Sequence, residues 1–339
     1  YNRIRGAHMH SHYYWITQVL KEELSFNGVV ISDWLGVFWQ PGSTEDKIAA
    51  SVNAGIDMVM AVDQYETFIY TLAYLVEQKR VSMERIDDAV RRILTMKEKL
   101  GLFDLHARNV PTTSVVGSEN DKILAREAVQ KSAVLLKNEN YALPLTEETK
   151  SIILLGSAAD DIGSQCGGWT TVWQGKKGNH IPGVSILNGL KAHLSNKQQL
   201  TYFKSPAEIP AEHRSDLAIV VIAEDPYAEG FGDRFDLQLA GEQKDLILAA
   251  REKSQKVVLL ILSGRPLILD EQVLSHVDSI VAAWLPGTEG GTGLANLLLG
   301  RVPFSGRLSY TWPKSLEHYR GLPISADNTL FPLGFGLTF

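Results

Sequence analysis

Phe26-Asn27-Gly28-Val29-Val30-Ile31-Ser32-Asp33-Trp34 sets the reading of the whole chain: a turn dipeptide, a short unbroken apolar run, then a carboxylate. An apolar run without polar alternation is the mark of a strand buried on both faces, as parallel sheets require. Upstream, residues 12–25 mix apolar and charged positions at helical spacing, and Asn27-Gly28 ends that helix. Asp33 therefore stands at the C-terminal end of a buried strand, where α/β barrels carry their reactive side chains.

Downstream, Pro41-Gly42 makes a loop and Ser43 is placed to cap a helix that has Glu45 and Asp46 in its first turn and Gly55 as its stop. Ile56 to Met60 reads as a second buried strand. Helices follow near 64–78 and 82–100, with Ile86, Val90, Ile93 and Leu94 on one face of the latter. Residues 1–105 thus alternate helix and strand in the grammar of parallel α/β. Two strands cannot close a (β/α)₈ barrel of ~250 residues, so the expectation is the C-terminal part of such a barrel, with its remainder upstream of Tyr1.

Residues 106–118 read as a linker, and residues 119–339 as a second domain. A helix is expected over 119–131, then Ala133-Val134-Leu135-Leu136. Strands are expected at Ile152–Leu155, Leu217–Ala223, Val257–Leu262 and Ser279–Ala283, with helices near 184–194, 241–253 and 288–299. Repeated strand-then-helix order predicts a doubly wound α/β sheet. From Gly306 onward the tail is rich in Pro, Gly and aromatics and has little helical period.

The 339 residues carry a formal net charge of −6 and a pI of about 5.9. This argues against a nucleic-acid partner, which calls for a basic face. No apolar run approaches the ~20 residues of a membrane span. A single cysteine, Cys166, allows no intrachain disulfide and reads as structural.

Two carboxylates on separate domains draw attention. Asp33 either caps the following loop or serves as a nucleophile at a barrel mouth. Glu229 lies in Ala223-Glu224-Asp225-Pro226-Tyr227-Ala228-Glu229-Gly230-Phe231-Gly232-Asp233, a loop leaving an apolar strand. That loop is either a solvated acidic turn or the source of a proton donor. A retaining glycosidase needs two such groups about 5–5.5 Å apart, which here would require the domains to face each other. Gln165-Cys166-Gly167-Gly168-Trp169-Thr170-Thr171-Val172-Trp173-Gln174-Gly175 places two indoles in a glycine-flanked loop, and Trp34 adjoins Asp33. These rings either pack a core or a domain interface, or stack on sugar. His8, His10 and His12 alternate, but no Cys pair or HExxH accompanies them, which argues against a metal site. Gly156-Ser157-Ala158-Ala159 lacks the full dinucleotide fingerprint.

The Phe26–Trp34 stretch resembles the nucleophile segment of glycoside hydrolase family 3. Arg85-Ile86-Asp87-Asp88-Ala89-Val90-Arg91-Arg92-Ile93-Leu94 and Ala133-Val134-Leu135-Leu136-Lys137-Asn138 resemble that family's barrel end and second-domain start. Ser263-Gly264-Arg265-Pro266, Ala283-Trp284-Leu285-Pro286-Gly287 and Phe331-Pro332-Leu333-Gly334-Phe335-Gly336-Leu337 follow in the same order. The loops around Trp169 and Glu229 are most similar to the β-glucan exohydrolases.

The resemblance implies a (β/α)₈ barrel followed by an α/β sandwich, and a retaining exo-acting β-glucosidase that needs no metal or organic cofactor. It implies Asp33 as nucleophile and Glu229, rather than Glu224, as acid/base. Trp34 and Trp173 would clamp the +1 sugar with Trp169 nearby, and Tyr1 and Met60 would line the glucose pocket. β-Linked gluco-oligosaccharides are the implied partners, and a secreted, periplasmic or cell-wall location is implied. The family's glucose-gripping Asp, Arg and Lys-His pair belong upstream of Tyr1, so these residues alone are expected to be inactive. A non-catalytic sugar-binding remnant and a β-xylosidase are the alternatives.

Overall fold

The computed structural model describes residues 1–104, 116–317 and 326–339. The chain divides into two compact units, Tyr1–Thr112 and Thr113–Phe339. Most of the expected linker, residues 106–115, lies outside the described residues.

The first unit opens with a hairpin pairing Arg3–Ile4 with Ala7–His8. A helix over Tyr14–Glu23, wound as a π-helix, and α-helices over Thr44–Ala54, Tyr65–Glu77 and Met83–Lys99 follow. Ser43 caps the second of these through Asp46 N–H, and Gly55 ends it in the left-handed region at φ 112°. Val37, Ile48, Val52, Leu75 and Val81 form the core between these helices.

The two expected barrel strands are shorter than the sequence predicts. They are extended segments joined by one parallel bridge, Ile31 with Met58, and by Ser32 N–H to Met58 O at 2.9 Å. Ile31 is 47% exposed, because a strand with a single lateral partner cannot be covered on both faces. Val90 and Leu94 are likewise exposed; the Met83–Lys99 helix packs through Ile86 and Ala89 instead.

An ionic cluster fixes the Asp33 segment from below. The fully buried Asp57 carboxylate accepts from Lys21 Nζ at 2.7 Å, from Val30 N–H at 2.9 Å and from Arg85. Arg92 donates to the carbonyls of Phe26 at 2.8 Å and Gly28 at 3.0 Å. The helix therefore grips the chain just ahead of the Val29–Ile31 run. Burial pushes the Lys21 ammonium below its usual range despite the partnership with Asp57.

The second unit is built on a six-stranded sheet. Its order is Val134–Asn138, Ser279–Trp284, Ser254–Leu262, Ser215–Ala223, Ser151–Leu155, Gln199–Phe203. All neighbours are parallel except Val134–Asn138, which runs antiparallel at one edge. The five parallel strands, counted along the chain, lie in the order 2-1-3-4-5 of a doubly wound sheet.

Side chains alternate between two buried layers. Leu217, Ile219 and Val221 face the helices Glu119–Ser132, Ile186–His193 and Gly290–Leu298, while Ala218, Val220 and Ile222 face Gly241–Lys253 and Glu271–His276. Each fully buried aliphatic contributes about 1.5–3 kcal/mol. Gln199–Phe203 was not expected as a strand. It is a half-buried edge, so polar residues interrupt the apolar run that marks its neighbours. Among the described residues of the tail, Trp312–Pro313 pairs with Thr329–Phe331. Leu337 N–H then donates to Leu135 O at 2.8 Å, closing the tail onto the antiparallel edge.

Candidate functional site

In the first unit, the Asp33 carboxylate accepts from Trp34 N–H at 2.7 Å, and Asp33 N–H donates to His10 Nε2 at 3.0 Å. His10 is buried, and burial is the main reason its imidazole is pushed below the usual range; an acceptor nitrogen requires the neutral ring. Ser32 Oγ accepts from Met60 N–H at 2.9 Å and Leu35 N–H donates to Met60 O at 3.0 Å, which seats Met60 beside the Asp33 turn. The Tyr1 hydroxyl donates to Trp34 O, and its ring packs at a tilt of 32° against Trp39, with centroids 4.8 Å apart. Tyr1, Asp33, Trp34 and Met60 therefore gather around one turn. The alternating histidines do not share a strand: His8 ends the hairpin and His10 sits in the 3₁₀ turn Met9–Ser11.

In the second unit the relevant loops leave the C-terminal ends of Ser151–Leu155 and Ser215–Ala223. Between these two strands the winding reverses, the place where open α/β sheets form their ligand crevice. The first loop carries Trp169 and Trp173, the second Glu229. Trp169 Nε1 and Trp173 Nε1 each donate to a separate oxygen of Glu229, both at 3.1 Å. Trp169 remains 66% exposed and Trp173 43%, so their ring faces stay open while their N–H groups are used. Neither indole is packed into the core of this unit.

Close backbone contacts lock the loops together. Ala228 N–H donates to Gln174 Oε1 at 2.9 Å, and a Cβ on Gly168 would sit 2.1 Å from Tyr227 O, so only glycine fits there. Glu224, the other candidate acid, is differently placed. Its side chain is 5% exposed and bound by Arg265 and Arg234, and Ser263 Oγ donates to it at 2.7 Å. Sequence reading missed Phe231, 82% exposed and edge-on to Trp173 at 5.5 Å, and Gln174, whose bond to Ala228 spans 54 residues. The aromatic two places after Glu229 was the available signal for Phe231. Cys166 is a free, half-buried thiol pushed up by burial and by the Asp161 charge. Among the described residues no helix is long and apolar enough to cross a membrane.

The chain matches the Glycosyl hydrolase family 3 N terminal domain over residues 1–96 and the Glycosyl hydrolase family 3 C-terminal domain over residues 133–339. It is 33% identical to a lysosomal beta glucosidase of Dictyostelium discoideum, covering 99% of this chain and 45% of that protein. It is 30% identical to a beta-xylosidase of Formosa agariphila, covering 98% and 51%. The solved exo-1,3/1,4-beta-glucanase ExoP of a Pseudoalteromonas species, as its Q683A mutant, superposes with a TM-score of 0.89 at 35% identity, covering 99% of this chain and 56% of that one. The chain spans about half the length of the curated relatives it matches. With both domain profiles matched in order and the larger one alone covering more than half of its residues, the chain belongs to glycosyl hydrolase family 3.

Proposed function

We propose that the protein is a retaining, exo-acting β-glucosidase or β-glucan exohydrolase, with residues 1–105 contributing the nucleophile and residues 119–339 the acid/base. Asp33 attacks the anomeric carbon through an oxocarbenium-like transition state, forming a glycosyl ester. Glu229 protonates the leaving oxygen, then deprotonates the water that releases glucose with retained configuration. Trp34, Trp169 and Trp173 offer faces for the aglycone sugar, and Tyr1 and Met60 border the glucose pocket. The observation that carries this reading is Glu229 held between two indole N–H donors whose rings stay open.

The test is made in the full-length gene product. Asp33→Ala should abolish nitrophenol release from a nitrophenyl β-glucoside, by a factor on the order of 10⁴ or more. Azide should rescue Glu229→Ala on a substrate with a good leaving group, giving a β-glucosyl azide. Wild-type rates in the first variant, or no rescue in the second, refute the assignment. The Formosa relative favours one second reading, a β-xylosidase; kcat/KM for nitrophenyl xyloside above that for the glucoside would decide for it.

A further inference from the structure

We propose that Glu224, Arg265 and Ser263 act as a latch that sets the position of Glu229, making them positioning residues for proton transfer. The inference rests on the reading of Glu229 as acid/base.

Glu224 begins the loop at the end of the Ser215–Ala223 strand, and Arg234 closes it. Arg234 reaches back to Glu224 Oε1 at 3.2 Å, so one buried carboxylate draws both ends of the Glu229 loop together. From the neighbouring strand end, Arg265 contributes Nε at 3.1 Å to both Glu224 oxygens and a second nitrogen at 2.9 Å, and Ser263 Oγ donates at 2.7 Å. The same Arg265 guanidinium lies 4.1 Å from the centre of the Tyr227 ring. Gly168 packs closely against the Tyr227 carbonyl, fixing that residue's backbone, and two residues later comes Glu229. A mechanical line thus runs from Glu224 through Arg265 and Tyr227 to the carboxylate between the indoles.

A buried ion pair is weak evidence of added stability, since desolvation offsets much of its attraction. Its planar, forked geometry is better suited to fixing position. Misplacing a catalytic group by about 1 Å can cost ~10²-fold in rate. The cost should fall on the step that needs Glu229 as an acid, and spare a leaving group that departs unprotonated.

The experiment compares kcat/KM, which reports glycosylation, for laminaribiose and for 2,4-dinitrophenyl β-glucoside in the full-length protein. In Glu224→Gln and Arg265→Lys the disaccharide value should fall about 10–100-fold while the dinitrophenyl value stays within about threefold. Glu224→Gln added to Glu229→Ala should cost less than about threefold more on the disaccharide, because the latch acts through Glu229. Proportional losses on both substrates, unchanged rates, or full additivity with Glu229→Ala overturn the proposal. If Glu224→Gln does not fold, Ser263→Ala removes one hydroxyl donor and should show the same selectivity at smaller amplitude; an equal effect on both substrates counts against the latch. Failure of the underlying reading looks different: the wild-type protein would cleave neither glucoside, or Glu229→Ala would remain active on the disaccharide.

Discussion

Asp278→Asn should unfold the second unit early, and the size of the effect follows from its surroundings. The Asp278 side chain is 7% exposed. One oxygen accepts from Asn140 Nδ2 at 2.6 Å; the other accepts from Val257 N–H at 2.8 Å and from Arg251. An amide in that place has one acceptor oxygen. Turned one way, its NH₂ faces the Val257 and Arg251 donors; turned the other, it can bond a flipped Asn140 amide, but Arg251 still loses the charge it faces. Breaking a buried pair costs about 3–5 kcal/mol, and Arg251 retains some access to water, so about 3 kcal/mol is expected. For a unit of this size that is a Tm lower by roughly 6–12 °C.

The pH dependence supplies a second check. Desolvation alone would raise the Asp278 carboxyl, but Asn140, Val257 N–H and Arg251 outweigh it and hold it below the usual range. A depressed carboxylate stabilises fully above its unfolded pKa of about 3.9, and that contribution is lost as pH falls through the folded value. The wild-type and Asp278→Asn melting curves, followed by circular dichroism, should therefore be far apart at pH 7 and converge below about pH 4. A Tm difference under about 2 °C at pH 7, or one that persists undiminished in acid, would refute the reasoning.

Two further outcomes are expected. Gly291→Ala would place a methyl 2.0 Å from Ser185 O where the Ile186–His193 and Gly290–Leu298 helices cross, so denaturant titration should show a loss of about 1–3 kcal/mol or more. Cys166 should react with iodoacetamide at least about tenfold more slowly in the folded protein than in urea at pH 8, because burial disfavours its thiolate; equal rates would contradict its placement.

Much of this architecture was readable from local chemistry. Ser43, Ser118 and Ser185 all cap helices at or near their expected starts, because capping is decided within a few residues. The unbroken apolar runs at Ile152–Leu155, Leu217–Ala223 and Val257–Leu262 became central strands because both sheet faces are covered. The same logic over-reached at Val29–Ile31, where lateral partners are too few to sustain a strand, and under-reached at Gln199–Phe203, where an edge position tolerates polar residues. In the candidate site, residue types were legible but their contacts were not. Trp169 and Trp173 reach Glu229 across 60 and 56 residues, and Glu224 differs from Glu229 only in what the fold brings to it from Ser263, Arg265 and Arg234.

The bond from Leu337 to Leu135 gives the tail a protective duty. Val134–Asn138 stands at a border of the sheet, where free amides and carbonyls could recruit a strand from another molecule. By folding back over that border, the tail acts as a hem against unravelling and self-association. Clipping the segment around Leu337 should therefore leave the helices and central strands in place yet make the protein prone to clump, a failure of solubility before one of folding.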